Sequence, residues 1–149
     1  MDAQLKNLTK LLDTYYVKLP ALPKGANDFL VSVVPWLALV FGVLAILSGV
    51  AAFGFLSVLS PFAAVSGAGQ YAITGLVAAA ILVAQGVLEL LAFPSLKAKK
   101  VRGWSLMLLS LVLSVVSSVF YLSVFGVVQA LIGLLIGYYF LYQVKSYYK

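Results

Sequence analysis

The chain has 149 residues, of which 64% are hydrophobic and only 9% charged, with a net charge of +6 and a mean hydropathy of +1.11. Soluble domains carry roughly 25% charged residues, so outside a membrane most of these apolar groups would face water. The absence of Cys and His excludes disulfides, thiolate or imidazole metal sites and Cys- or His-based catalysis, and four scattered acids, Asp2, Asp13, Asp28 and Glu89, argue against a carboxylate metal cage.

The expected fold is all-α: an integral membrane four-helix bundle with an N-terminal amphipathic interfacial helix, in one membrane domain over 1–149. Residues 2–19 place Leu5, Leu8, Leu12, Tyr15 and Leu19 at helical spacing, with Lys6, Lys10, Asp13 and Lys18 elsewhere around the helix. Such a helix is too polar to span and predicts a segment lying in the headgroup layer or packed under the bundle. No basic-then-apolar leader with a small-residue cleavage site opens the chain, so the first apolar span is expected to act as an uncleaved signal anchor. Pro20, Pro23 and Gly25 then interrupt the helix.

Asn27 or Asp28 is the expected cap of the first span, about 29–56. Pro35 within it either kinks the helix or marks where an interfacial first turn enters the bilayer, with Trp36 at headgroup level. Residues 57–69 carry no charge and hold Pro61, Gly67 and Gly69, which reads as the first outer connection. A second span covers about 70–92. The stretch Phe93–Trp104 is the only strongly charged loop between apolar segments. A third span runs over about 104–121 and a fourth over 126–144. Only a few residues around Leu122 to Phe125 separate them, so the two are expected to form an antiparallel hairpin.

Topology follows from the cations. Lys6, Lys10, Lys18 and Lys24 precede span one; Lys97, Lys99, Lys100 and Arg102 lie between spans two and three; Lys145 and Lys149 follow span four. The positive-inside rule then puts both termini and the 93–104 loop in the cytoplasm. Cations flanking apolar spans point to anionic lipid headgroups on that side rather than to nucleic acid. Trp36, Trp104, Tyr142, Tyr147 and Tyr148 fall at the same boundary, as an aromatic belt would.

Each span also carries small residues at spacings of three and four: Gly42, Ala45, Gly49 and Ala52; Gly75, Ala79 and Gly86; Ser110, Ser114 and Ser117; Gly126, Ala130, Gly133 and Gly137. In lipid, helices associate through close backbone approach, so these stripes predict tight packing within the bundle or a homo-oligomer seam. They argue against a wide aqueous pore, whose wall needs a line of polar groups.

Glu89 is the one ionisable group inside a span, and Gln85 lies one turn earlier on the same face. With the span ending at 92, Glu89 would lie roughly 5 Å from the boundary, which favours a pair with Lys97, Lys99, Lys100 or Arg102 over an ion or proton site. Gln129 reads as an interhelical hydrogen bond. No nucleophile–base pair, metal set or cofactor motif is present, so an enzyme is not expected. The leading expectation is a non-enzymatic polytopic membrane protein acting through packing, as a scaffold or assembly subunit. The alternative is a small transporter or ion-coupled carrier using Glu89 and Gln85.

Four segments carry a resemblance: Leu-Leu-Asp-Thr-Tyr-Tyr-Val-Lys over 11–18, Pro35-Trp36, Lys-Lys-Val-Arg-Gly-Trp over 99–104 and Tyr-Tyr-Phe-Leu-Tyr-Gln-Val-Lys over 138–145. Through them the chain resembles small four-span membrane proteins of candidate-phylum bacteria. The resemblance implies a bacterial inner-membrane protein and brings no activity with it. Small multidrug transporters also have four spans, but their essential glutamate lies in the first, where this chain has no acid.

Overall fold

Hydrocarbon offers no water to a backbone N–H or C=O, so an apolar chain that crosses it must close its hydrogen bonds within helices. The computed structural model describes residues 3–18, 20–120 and 124–148, with side chains described for 7, 9–18, 20–118 and 128–148. It is all-α. Among the described residues the elements are α1 (Ala3–Tyr16), α2 (Lys24–Val65), α3 (Gly69–Lys97), α4 (Val101–Phe120), α5 (Val124–Val144) and a 3-10 turn at Lys145–Tyr147. α2 to α5 supply four helices long and apolar enough to cross a membrane, which makes this a multi-pass membrane protein.

α2 packs most extensively on α3, α3 on α4 and α4 on α5, whereas α5 barely returns to α2. Glycines set the α2–α3 distance. A Cβ on Gly86 would lie 2.6 Å from the Gly42 carbonyl oxygen, and one on Gly49 would lie 2.6 Å from Val83. Gly75 and Gly137 are filled instead by leucines, Leu56 and Leu111. The core gathers towards the cation-rich end, where Leu96, Trp104, Leu108, Tyr138 and Val144 are almost wholly buried.

Several expected boundaries move. α2 begins directly after Pro23, whose carbonyl accepts from Ala26 and Asn27 at 2.9 and 3.2 Å. Neither Asn27 nor Asp28 is the cap; the Asn27 amide donates back to the Leu22 carbonyl at 3.5 Å. At its other end α2 runs through Pro61 to Val65, so most of the expected 57–69 connection is helix. Only Ser66–Ala68 turn the chain, with Gly67 in the left-handed region at φ +79° and Ala68 N–H bonded to the Ala63 carbonyl. At 42 residues α2 is about 63 Å long, twice a bilayer core of roughly 30 Å, so it must tilt or project.

The charged 93–104 loop also shrinks. α3 continues through Pro94 to Lys97, and α4 starts at Val101. Between them Lys99 adopts φ +53°, Lys99 N–H bonds to Leu96, and Lys100 N–H to Ser95. This is a Schellman closure with lysine at the position glycine usually takes. Gly103 lets α4 start against α3, since a Cβ there would meet the Leu96 nitrogen at 2.5 Å. α5 starts at Val124, two residues before the expected 126. The ends of the expected 104–121 span and 122–125 turn fall partly on residues 121–123, outside the described residues.

α1 docks on α5, with Leu12 of the expected stripe packed against the core. Leu5, Leu8 and Leu19 lie outside the described side chains, while Leu11 and Tyr15 are exposed and Thr9 and Tyr16 are buried. Polar groups turn inward because α5 supplies partners. The Tyr138 hydroxyl donates to the Asp13 carboxylate at 2.8 Å, Lys145 pairs with the same carboxylate, and the Tyr16 hydroxyl donates to the Leu135 carbonyl at 2.7 Å. Burial raises the Tyr16 phenol above its ordinary value, which keeps it a proton donor. Asp13→Ala should weaken α1 docking by about 1 kcal/mol, allowing for the partial exposure of the pair. Protease cleavage between α1 and α2 should accelerate accordingly; an unchanged rate would place the docking in the aromatic contacts alone.

Candidate functional site

Glu89 lies farther from its helix end than the expected span implied. α3 continues eight residues past it to Lys97, about 12 Å at 1.5 Å per residue. That length removes it from the basic turn, and the expected ion pair with Lys97, Lys99, Lys100 or Arg102 does not form. The cause is Pro94, which sits inside α3 and does not end it.

Its partner comes from α4. The Ser110 hydroxyl donates to Glu89 Oε1 at 3.0 Å, and the Gln85 amide donates to the Ser110 carbonyl at 3.2 Å. Gln85 and Ser110 are both buried. The expected closeness of Gln85 and Glu89 therefore holds, but α4 completes the cluster. The spacing of Ser110 with Ser114 and Ser117 marks it only as part of a packing stripe, not as a partner of Glu89. Its neighbours Ser114, Ser117 and Ser118 all donate to carbonyls one turn back, so Ser110 alone in that row is spent on another side chain.

Glu89 Oε2 is buried and has no hydrogen-bond partner. Glu89 also helps to line two hollows. One is an apolar cleft of about 450 Å³ between α2, α4 and α5, with Val34, Phe41, Leu111 and Phe140 in its wall. It exists because α2 and α5 scarcely touch. The other is a groove of about 390 Å³ between α2 and α3, which carries Ser48 and Gln85 beside Glu89. Glu89 thus lines both an apolar cleft and a more polar groove, while one of its carboxyl oxygens is buried without a partner.

The remaining expected residues divide. Lys97, Lys99, Lys100 and Arg102 are exposed at the α3–α4 turn. Gly42, Gly49, Gly75 and Gly86 pack between α2 and α3, and Gly137 packs against α4. Gly133 has nothing within 4 Å of a built Cβ and lies on the outer face of α5 with exposed Gln129, which makes no interhelical bond there. Gly126 lies outside the residues whose surroundings are described. Trp104 is no belt residue: it is 2% exposed and donates to the Leu141 carbonyl at 2.8 Å. Trp36, half-exposed, packs edge-to-face against Phe93 with ring centroids 5.6 Å apart.

No protein family, curated protein or solved structure matches the chain.

Proposed function

We propose that the chain is a small non-enzymatic carrier of a bacterial inner membrane, with Glu89 as its ion site and Gln85 and Ser110 as positioning residues. Both termini and the α3–α4 turn then face the cytoplasm, where ten cations meet anionic headgroups. The reading rests on Glu89, whose side chain lines two hollows and carries an oxygen buried without a partner. A carboxylate alone at that depth costs several kcal/mol. One proton or one bound cation removes that cost, and exchange between the two is the chemistry of an ion-coupled carrier. The apolar cleft favours a cation with a hydrophobic body.

Proteoliposomes carrying a pH gradient and tetraphenylphosphonium test this. Glu89→Gln should lower uptake at least about tenfold, the loss of one charge contact in a dry site. Lys100→Gln should leave uptake unchanged. Wild-type uptake in Glu89→Gln would overturn the assignment.

A second reading, an assembly subunit, is favoured by Gln129 and Gly133 on the outer face of α5. An amide facing lipid gains from a partner across a helix seam. The chain has no cysteine, so Gly133→Cys is a clean probe: rapid disulfide dimers in membranes support this reading, and none would sink it.

A further inference from the structure

A third hollow of about 400 Å³ opens at the cation-rich end, where α2 enters and α3 leaves the apolar layer. It is distinct from the Glu89 site and shares no residue with it. Val31 and Pro35 form its buried floor. Lys97 and Lys99 line one side, and Asp28 and Ser32 lie on α2. Tyr147 closes it from the C-terminal turn, its hydroxyl directed to the Asp28 carboxylate. The hollow therefore holds both signs of charge over an apolar base.

Two features hold the cations in place. Lys97 Nζ sits over the Trp36 ring at 5.4 Å, and Trp36 itself packs edge-to-face against Phe93. Lys99 occupies the left-handed region at φ +53°, a conformation that costs a side-chain residue energy and that glycine adopts freely. Lys100 and Arg102, one and three residues further, do not line the hollow.

We infer that this hollow binds the headgroup of a zwitterionic phospholipid with a primary ammonium, of the phosphatidylethanolamine type. The phosphate lies between Lys97 and Lys99, and the ammonium hydrogen-bonds to Asp28. The acyl chains continue into the lipid along the exposed flank of α2, where Phe29, Trp36 and Leu37 face outward. Depth selects a lipid over a soluble phosphate, because the floor is apolar and the site lies at headgroup level. Asp28 selects against purely anionic headgroups, which bring it no cation. The quaternary ammonium of choline has no N–H for Asp28, and the Trp36 face that attracts such groups is taken by Lys97.

The test is native mass spectrometry of the full chain released from nanodiscs holding equal phosphatidylethanolamine, phosphatidylcholine and phosphatidylglycerol. Phosphatidylethanolamine should be retained over the other two by about tenfold, the worth of one charge-assisted bond. Asp28→Asn should transfer the preference to phosphatidylglycerol. Lys99→Gly should weaken retention of all three while raising the melting temperature, because it frees the turn; that opposite pair of changes separates binding from folding. Equal retention of the three lipids, or unchanged selectivity in Asp28→Asn, would overturn the inference. So would binding of soluble glycerophosphoethanolamine with no lipid retained.

Discussion

Alanine at position 86 is expected to part α2 from α3. The added Cβ would stand 2.6 Å from the Gly42 carbonyl oxygen and 3.0 Å from the Ile46 nitrogen. Both are backbone atoms in mid-helix, so neither can swing aside as a side chain would. Overpacking of this kind costs about 1–3 kcal/mol, and valine should exceed alanine. Gly133→Ala is the control. Its Cβ meets nothing within 4 Å, so it should be neutral or gain up to about 1 kcal/mol through helix propensity. The two variants can be compared by loss of helical circular dichroism on titration with a denaturing detergent. A Gly86→Ala protein as stable as Gly133→Ala would mean that the hairpin is held by something other than backbone approach.

That contrast also shows what was legible from residues alone. Small-residue spacing pointed to Gly42 and Gly86, where α2 and α3 approach closely, because in lipid close approach has few other causes. The same spacing could not separate Gly137, which packs on Leu111, from Gly133, which packs on nothing. One turn of helix and a modest rotation distinguish them, and only the neighbouring helix fixes that rotation. Number and class of the spans followed from composition. Their ends did not, because the stretches holding Pro61 and Pro94 read as connections whereas both prolines lie inside helices. Without water to take over freed backbone groups, the helix is the best arrangement still open to those residues.

The consequence for the site was larger than for the fold. Ending α3 at 92 put Glu89 near the basic turn; carrying it to Lys97 put it next to Ser110 and away from every expected cation. α1 shows the opposite kind of miss. Its stripe promised an apolar face, and Leu12 does pack against the core, but Asp13 and Tyr16 turn inward beside it because Tyr138, Lys145 and the Leu135 carbonyl can bond to them. A single amphipathic pattern carries no information about polar partners more than 100 residues away.

Glu89→Leu is expected to make the protein more stable and to abolish carriage. A buried carboxyl oxygen without a partner is a cost that a leucine of similar length does not bear. The new side chain would face Val34, Phe41, Leu111 and Phe140 in a cleft that is otherwise apolar. Ser110 would lose its acceptor at 3.0 Å, yet its hydroxyl can turn to a carbonyl one turn back, as Ser114 and Ser117 already do. Replacement of a buried ionisable group by a packed apolar one gains about 1–4 kcal/mol in favourable cases. Glu89→Gln should gain less, since its amide remains polar in the same place. The order of stability expected in detergent melting is therefore Leu above Gln above the natural residue, with uptake running the other way. Stability lost at a functional residue and recovered on its removal is the signature of a site kept for activity. A Glu89→Leu protein that melts lower than the natural chain would instead make the Glu89–Ser110 contact a structural tie between α3 and α4, and the carrier reading would lose its physical basis.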